Sequence, residues 1–199
     1  MGYLRIAAAM ALVLLSSGAA RAADGPIFGA YTGSQQGVTE RDGSLTQQLS
    51  FDSGVNASGI AVTSTGHVFL SSRNHIYDYT TAGVRVADMT YPDTALRYTA
   101  ITTRGGWVFS AYAGSQRGVT IRDPDLVQSS YIETPFEATG IAAGDQGHLY
   151  LTSGNHIYDY LIDGTLVTDM AFSDAGIRYS AVTYANNTVY AGYNAPNKA

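Results

Sequence analysis

The sequence predicts an all-β fold, a small β-propeller of about four blades with four antiparallel strands each. Three observations predict it. The chain contains an 81-residue tandem duplication, each copy divides into two units of about 40 residues, and each unit holds four short strand-like runs. Four strands in about 40 residues is typical of one propeller blade. A β-solenoid is the main alternative, but its coils are shorter and lack the four-strand count.

The first 22 residues differ from the rest and are predicted to be an export signal. Arg5 precedes an apolar run from Ile6 to Leu15, and Ala20-Arg21-Ala22 has the small-x-small pattern that signal peptidases cleave. A membrane span needs about 20 apolar residues, more than this run supplies. We expect residues 23–199 to form one periplasmic or extracellular domain with no membrane span. A retained N-terminal anchor is the alternative.

Composition excludes several classes of protein. The chain has no cysteine, which excludes disulfides, thiolate metal sites and thiol catalysis. Its formal net charge is −5, so it lacks the basic surface that nucleic-acid binding needs. With 45% hydrophobic residues the chain can bury a core, which excludes wholesale disorder.

The duplication is visible by direct alignment. Segment 27–107 aligns with segment 108–188 without a gap, and 36 of the 81 aligned positions are identical. Residues 74–79 recur complete at 155–160, and a partial third copy occupies 189–193. Because both copies run through the same pattern of strands and turns, we expect them to fold alike.

The strands of one unit follow each other closely. Runs rich in Val, Ile, Tyr and Thr span 58–63, 67–71, 75–79 and 84–89, and small or turn-forming residues separate them. On alternate positions of the third run, tyrosines are expected to pack between blades. They are Tyr77 and Tyr79, with Tyr158 and Tyr160 in the second copy.

These residues resemble the NHL repeat. Residues 59–62 read Gly-Ile-Ala-Val, residues 66–70 read Gly-His-Val-Phe-Leu, and residues 74–77 read Asn-His-Ile-Tyr. The resemblance implies a β-propeller and extends over the mature chain. The sequence departs from the family at Thr63 and Gly144, where the repeat usually has aspartate.

Three whole blades are predicted, followed by one that is divided between the chain ends. The whole blades span 58–91, 97–133 and 139–173. In the fourth, Arg178 to Tyr184 supplies the inner strand and Ile27 to Phe51 the outer three, which would close the ring and remove free sheet edges. Residues 188–193 are then a surplus strand that competes with 27–31. The surplus indicates either a truncated longer propeller or a homo-oligomer.

Loops that enter the inner strands and loops that leave the second strands open on one face of such a propeller. We expect this face to bind a ligand, because loops on a rigid scaffold commonly do so. Its candidate residues are Gln35, Gln36, Arg73, Asn74, Asp93, Arg97, Tyr98, Gln116, Arg117, Asn155, Asp174, Arg178 and Tyr179. Within this set, Asp93–Arg97 and Asp174–Arg178 are predicted to be salt bridges that brace the loops.

Metal binding has weak support in the sequence. His67 and His148 are equivalent in the two copies and are the candidates for a metal facing the channel, but no metal-ligand spacing accompanies them. Strand-start hydrogen bonding is the simpler role for all the histidines. No catalytic residue and no cofactor are predicted.

The sequence therefore favours an exported binding module for a glycan, peptide or protein over an enzyme. Repeated equivalent sites suit multivalent binding. The alternatives are a metal-assisted lyase or hydrolase with a histidine-lined channel, and a structural or surface assembly component.

Overall fold

The computed structural model describes residues 13–14, 26–174 and 176–194, and these residues form an all-β fold. Apart from Val13–Leu14, the predicted export signal lies outside the described residues. The strands are β1 (Val13–Leu14), β2 (Ile27–Tyr31), β3 (Gly37–Arg41), β4 (Gln47–Asp52), β5 (Gly59–Val62), β6 (His67–Ser72), β7 (His75–Thr80), β8 (Arg85–Thr90), β9 (Arg97–Arg104), β10 (Trp107–Ala113), β11 (Gly118–Arg122), β12 (Gln128–Glu133), β13 (Gly140–Ala143), β14 (His148–Ser153), β15 (His156–Leu161), β16 (Leu166–Ala171), β17 (Arg178–Ala185) and β18 (Thr188–Asn194). In the described residues, no helix is long and apolar enough to cross a membrane.

The strands form four antiparallel sheets of four strands and a smaller sheet of two. The orders are β1-β2-β3-β4, β5-β6-β7-β8, β9-β10-β11-β12, β13-β14-β15-β16 and β17-β18. We name these sheets A to E. Sheets B, C and D are the three whole blades that the sequence predicts, and the propeller fold is confirmed.

A hydrophobic core lies between each pair of successive sheets from A to D. Phe28 and Val38 of sheet A pack with Ile60 and Tyr79 of sheet B. Sheets B and C share a second core, and sheets C and D share a third that includes Tyr160. The predicted packing role of the repeated tyrosines is confirmed, because Tyr79 and Tyr160 are buried in these cores and Tyr77 and Tyr158 pack against them.

The predicted fourth blade, divided between the chain ends, does not form within this chain. Of the two strands that compete for the place beside β17, β18 pairs with it, while in the described residues the inner edge of β2 pairs with β1. The turn between β17 and β18 is short, and both Asn186 and Asn187 adopt positive φ, as tight hairpins require. A local hairpin forms without the entropy cost of closing a long loop, which explains why β18 takes this place.

All four histidines pair with an aspartate on the neighbouring strand. Nδ1 of His67 lies 2.9 Å from Asp78, and Nδ1 of His75 lies 2.9 Å from Asp88. The second copy repeats both pairs, through His148 with Asp159 and His156 with Asp169. These hydrogen bonds tie the second, third and fourth strands of a blade together.

The two histidine–aspartate pairs of sheet B differ in how deeply the aspartate is buried. Asp78 is 2% exposed and burial raises its pKa, while the hydrogen bond from His67 opposes that effect. At pH 8 we expect His67→Ala to lower the free energy of unfolding by about 2 kcal/mol, because it leaves a buried carboxylate without its partner. Urea unfolding followed by circular dichroism measures the change.

His75→Ala is the matched control, because the side chain of its partner Asp88 is 36% exposed. We expect it to cost less than about 1 kcal/mol, as for other exposed pairs. If His67→Ala and His75→Ala lower the free energy of unfolding equally, burial of the aspartate does not determine what the pair contributes, and the prediction is wrong.

Candidate functional site

A concave groove of about 750 Å³ runs along the inner strands of sheets B to E. It is lined by residues 60–65, 101–106, 141–143 with Asp145, and 182–187. The groove lies where the inner strands end and turn back into the second strands. Each of the four sheets therefore contributes the same stretch of its inner strand.

The groove has buried apolar side chains beneath it and a polar rim around it. Ile60, Ile101, Ile141 and Val182 occupy one equivalent position in the four inner strands and are each 1–2% exposed. The rim carries the hydroxyls of several threonines, together with the side chains of two asparagines. They are Thr63, Thr65, Thr102, Thr103, Thr183, Asn186 and Asn187. The groove can thus offer hydrogen bonds to a ligand through the polar side chains of its rim.

One cluster at the rim joins three sheets. Arg104 of sheet C bonds the carboxylate of Asp145 through Nη2, and its Nη1 donates to the carbonyl oxygen of Ala143 at 3.1 Å. The hydroxyl of Tyr184 in sheet E donates to Asp145 Oδ2 at 2.8 Å. Tyr150 stacks on the Tyr184 ring with centroids 5.6 Å apart.

The cluster is neutral overall. Arg104 and Asp145 are the charged residues among those that line the groove, and they pair with each other. The Arg104 guanidinium carbon also lies 5.4 Å from the centroid of the Tyr184 ring, a cation–π distance. A ligand in this groove therefore meets polar groups without a net charge.

The hydrogen bond to Asp145 also affects Tyr184. It raises the pKa of the Tyr184 hydroxyl, because ionisation would put a phenolate beside a carboxylate.

The cluster breaks the internal repeat. At the equivalent positions of the other copy, Ala185 replaces Arg104, Ser64 replaces Asp145 and Thr103 replaces Tyr184. Sequence reasoning missed these residues because it sought sites that repeat. The sequence does show that these polar residues are not repeated. Because 45 of the 81 aligned positions differ between the copies, that difference alone does not distinguish these residues from the other non-repeated ones.

The predicted binding face lies at the opposite ends of the inner strands. Its glutamines and arginines lie in loops that follow the second strands or at the starts of β9 and β17. Exposed members of this set include Gln35, Arg73, Gln116, Arg117 and Arg178. The structure thus collects them on one face, but binding there stays a prediction.

Several residues of this face have structural roles instead. Tyr98 is 1% exposed, and its hydroxyl accepts a hydrogen bond from Arg122 at 3.3 Å, so it lies in the core and cannot contact a ligand. The side chains of Asn74 and Asn155 donate to the carbonyl oxygens of Tyr91 and Phe172 and fix the loops between blades.

The predicted Asp93–Arg97 salt bridge is replaced by two other contacts. Arg97 pairs with Glu137 at 2.8 Å, which links sheet C to the loop before sheet D. Asp93 accepts a hydrogen bond from the Ser115 hydroxyl, and this bond lowers the pKa of the Asp93 carboxyl. The loops are braced as expected, but by longer-range partners. In the second copy, Asp174 accepts a hydrogen bond from the backbone N–H of Gly176.

The metal candidates His67 and His148 lie in separate sheets, B and D, each beside an aspartate of its own sheet. Among the described residues, no group of three or more histidines and acidic residues has a geometry that could hold a metal ion.

Comparisons with known proteins support the fold. No protein-family model matches the sequence, and no curated protein matches it. The structure is similar to a Myxococcus xanthus glutaminyl cyclase, with a TM-score of 0.62, 12% identity, and coverage of 85% of this chain and 82% of that one. It is also similar to the Pan2 WD40 domain of Neurospora crassa, with a TM-score of 0.56, 13% identity and coverage of 80% and 52%.

A protein of unknown function from Bacteroides caccae is a third similar structure. Its TM-score is 0.61 at 13% identity, and the match covers 83% of this chain and 61% of that one. This chain thus spans less than two thirds of the length of the B. caccae and Pan2 structures. At these identities the likeness shows the β-propeller fold.

The raised pKa of Tyr184 can be tested. Asp145→Asn removes the carboxylate, so we expect the pKa of Tyr184 to fall toward the ordinary tyrosine value near 10. The titration is followed by NMR of tyrosine labelled at Cζ, with the Tyr184 resonance assigned by Tyr184→Phe. Glu137→Gln is the control, because Glu137 pairs with Arg97 on the other face. A Tyr184 pKa that stays unchanged in Asp145→Asn would refute the hydrogen bond.

Proposed function

We propose that this protein is an exported β-propeller module that binds a neutral, hydroxyl-rich ligand, such as a glycan, in the inner-strand groove. The observation that carries the proposal is the charge-balanced cluster of Arg104, Asp145 and Tyr184 at the rim of a groove that also holds threonine hydroxyls. Export follows from the predicted signal in residues 1–22, and the NHL-like repeat residues agree with a binding role.

The chemistry of the groove favours a glycan over a charged ligand. Hydroxyl groups of a sugar both donate and accept hydrogen bonds, and the rim offers both through threonine hydroxyls and asparagine amides. An anionic or cationic ligand would have to compete with the Arg104–Asp145 pair.

A peptide is the second candidate, and the inner strands supply its specific support. The inner strand of each sheet is a sheet edge, and an extended peptide can add to such an edge through its backbone. The rim cluster favours the glycan. A peptide that pairs with the edge of an inner strand binds through backbone hydrogen bonds, so it does not need the side chains of the cluster.

The proposal is tested by screening the protein on a glycan array and a peptide array, then measuring the affinity of the best ligand by calorimetry. We expect a glycan ligand, and we expect Arg104→Gln to weaken it about tenfold or more, as for a well-placed charged group in a site. A melting curve checks that Arg104→Gln is folded.

Arg97→Gln is the matched control, because Arg97 forms a similar exposed ion pair on the opposite face. We expect it to leave the affinity unchanged. If Arg97→Gln weakens binding and Arg104→Gln does not, the ligand binds at the loop face and the groove proposal is wrong. If the protein binds peptides but no glycans on the arrays, the proposed ligand class is wrong.

A further inference from the structure

The N-terminal sheet exposes an apolar residue whose counterpart is buried. Leu45 is 56% exposed, whereas Leu126, its equivalent in the second copy, is 4% exposed. Their local structures agree, since both have φ of 64° and the carbonyl oxygen of each accepts a hydrogen bond from the equivalent arginine, Arg41 or Arg122. The difference is therefore what packs on the residue, not how its own loop folds.

The last whole blade exposes the matching surface. Leu126 belongs to the core between sheets B and C, where Met89 and Tyr91 of sheet B pack against that core. The equivalents of these two residues in sheet D are Met170, which is 55% exposed, and Phe172, which is 46% exposed. In the part of the chain that the structure describes, sheet E consists of β17 and β18, and neither strand carries a counterpart of Leu126.

Sheet A and sheet D thus carry the two halves of one interface between blades. We propose that a second copy of this chain joins them, so that sheet A of one copy packs on sheet D of the other as sheet C packs on sheet B. Two copies joined at both ends would form a ring of eight blades, in which each copy supplies three whole blades and parts of two shared ones.

The strand pairing of the shared blade follows from the repeat. β2 is equivalent to β10, which pairs with β9 over its whole length, and β17 is equivalent to β9. In the ring, β17 of one copy pairs with β2 of the other, in place of β18. In the described residues, the edge of β2 that receives it pairs with the two-residue strand β1.

Burial favours β2 over β18 as the second strand of the shared blade. Phe28 of β2 is 6% exposed, as is its counterpart Phe109 in β10, but Tyr190 at the same position of β18 is 54% exposed. β2 is already packed in the place that a second strand occupies, whereas β18 pairs with β17 and most of its residues are exposed. The surplus strand is therefore the one that is released.

The two ends of one chain leave each other uncovered in this structure, because Leu45 is 56% exposed and Met170 is 55% exposed. Hydrogen bonds that cross between sheets fix the angle from one blade to the next: Ser58 Oγ donates to the carbonyl oxygen of Tyr98 at 2.7 Å, and Thr99 Oγ1 to that of Ala138 at 2.6 Å. Close-packed interiors resist changes to such contacts. A second copy leaves them in place.

The test is the mass of the purified chain in solution, measured by light scattering with size-exclusion chromatography. We expect the mass of two chains for the wild type and of one chain for Leu45→Asp. Val86→Asp is the matched control, because Val86 is also 56% exposed but lies in sheet B, whose neighbours are present, so this variant should keep the mass of two chains.

Met170→Asp tests the other half of the interface and keeps the proposal testable should Leu45→Asp fail to fold, which circular dichroism would reveal. It too should give one chain. A wild type with the mass of one chain, or a pair that survives both substitutions, would overturn the proposal. If the wild type has the mass of one chain and Leu45→Asp is less stable than it, the result would instead indicate that sheets A and D of the same chain pack together.

Discussion

The structure depends on hydroxyl side chains that cross from one inner strand to the backbone of the next sheet. Thr139 Oγ1 donates to the carbonyl oxygen of Tyr179 at 2.9 Å, repeating the Ser58–Tyr98 bond 81 residues later, and Thr103 Oγ1 donates to Val62 at 3.1 Å. Each such bond contributes about 1 kcal/mol. Together with the cores between sheets, they set the angle between blades and keep the inner strands side by side, which creates the groove.

The repeated residues and the proposed binding site are separate in this molecule. The residues that hold the blades together recur in both copies, as the four histidine–aspartate pairs do. The rim cluster of Arg104, Asp145 and Tyr184 does not recur, so one end of a repeated groove carries a cluster that its other parts lack. A duplicated scaffold tolerates such local change because each blade contacts only its neighbours, as in other repeat proteins.

The strands and the duplication could be predicted from the sequence, because the period-2 pattern and the constant offset are local signals. The partner of β17 was left open between two strands, since the sequence shows which strands are equivalent but not that a two-residue turn at Asn186 and Asn187 places β18 beside β17. Tyr98 was misplaced for a similar reason: its position at a strand start does not reveal that its ring faces sheet B. The rim cluster joins residues about 40 positions apart, which no motif marks.

The absence of cysteine from the chain permits a direct test of how its ends pair. In β9 and β10, Ala100 pairs with Ala111, and the equivalent residues are Ala181 and Ala30. The double variant Ala30→Cys with Ala181→Cys is oxidised and run on a non-reducing denaturing gel. The account predicts a disulfide between two chains. A disulfide within one chain, or no link at all while Ala181→Cys with Gly192→Cys links fully, would contradict it, because Ala181 pairs with Gly192 when β18 keeps its place.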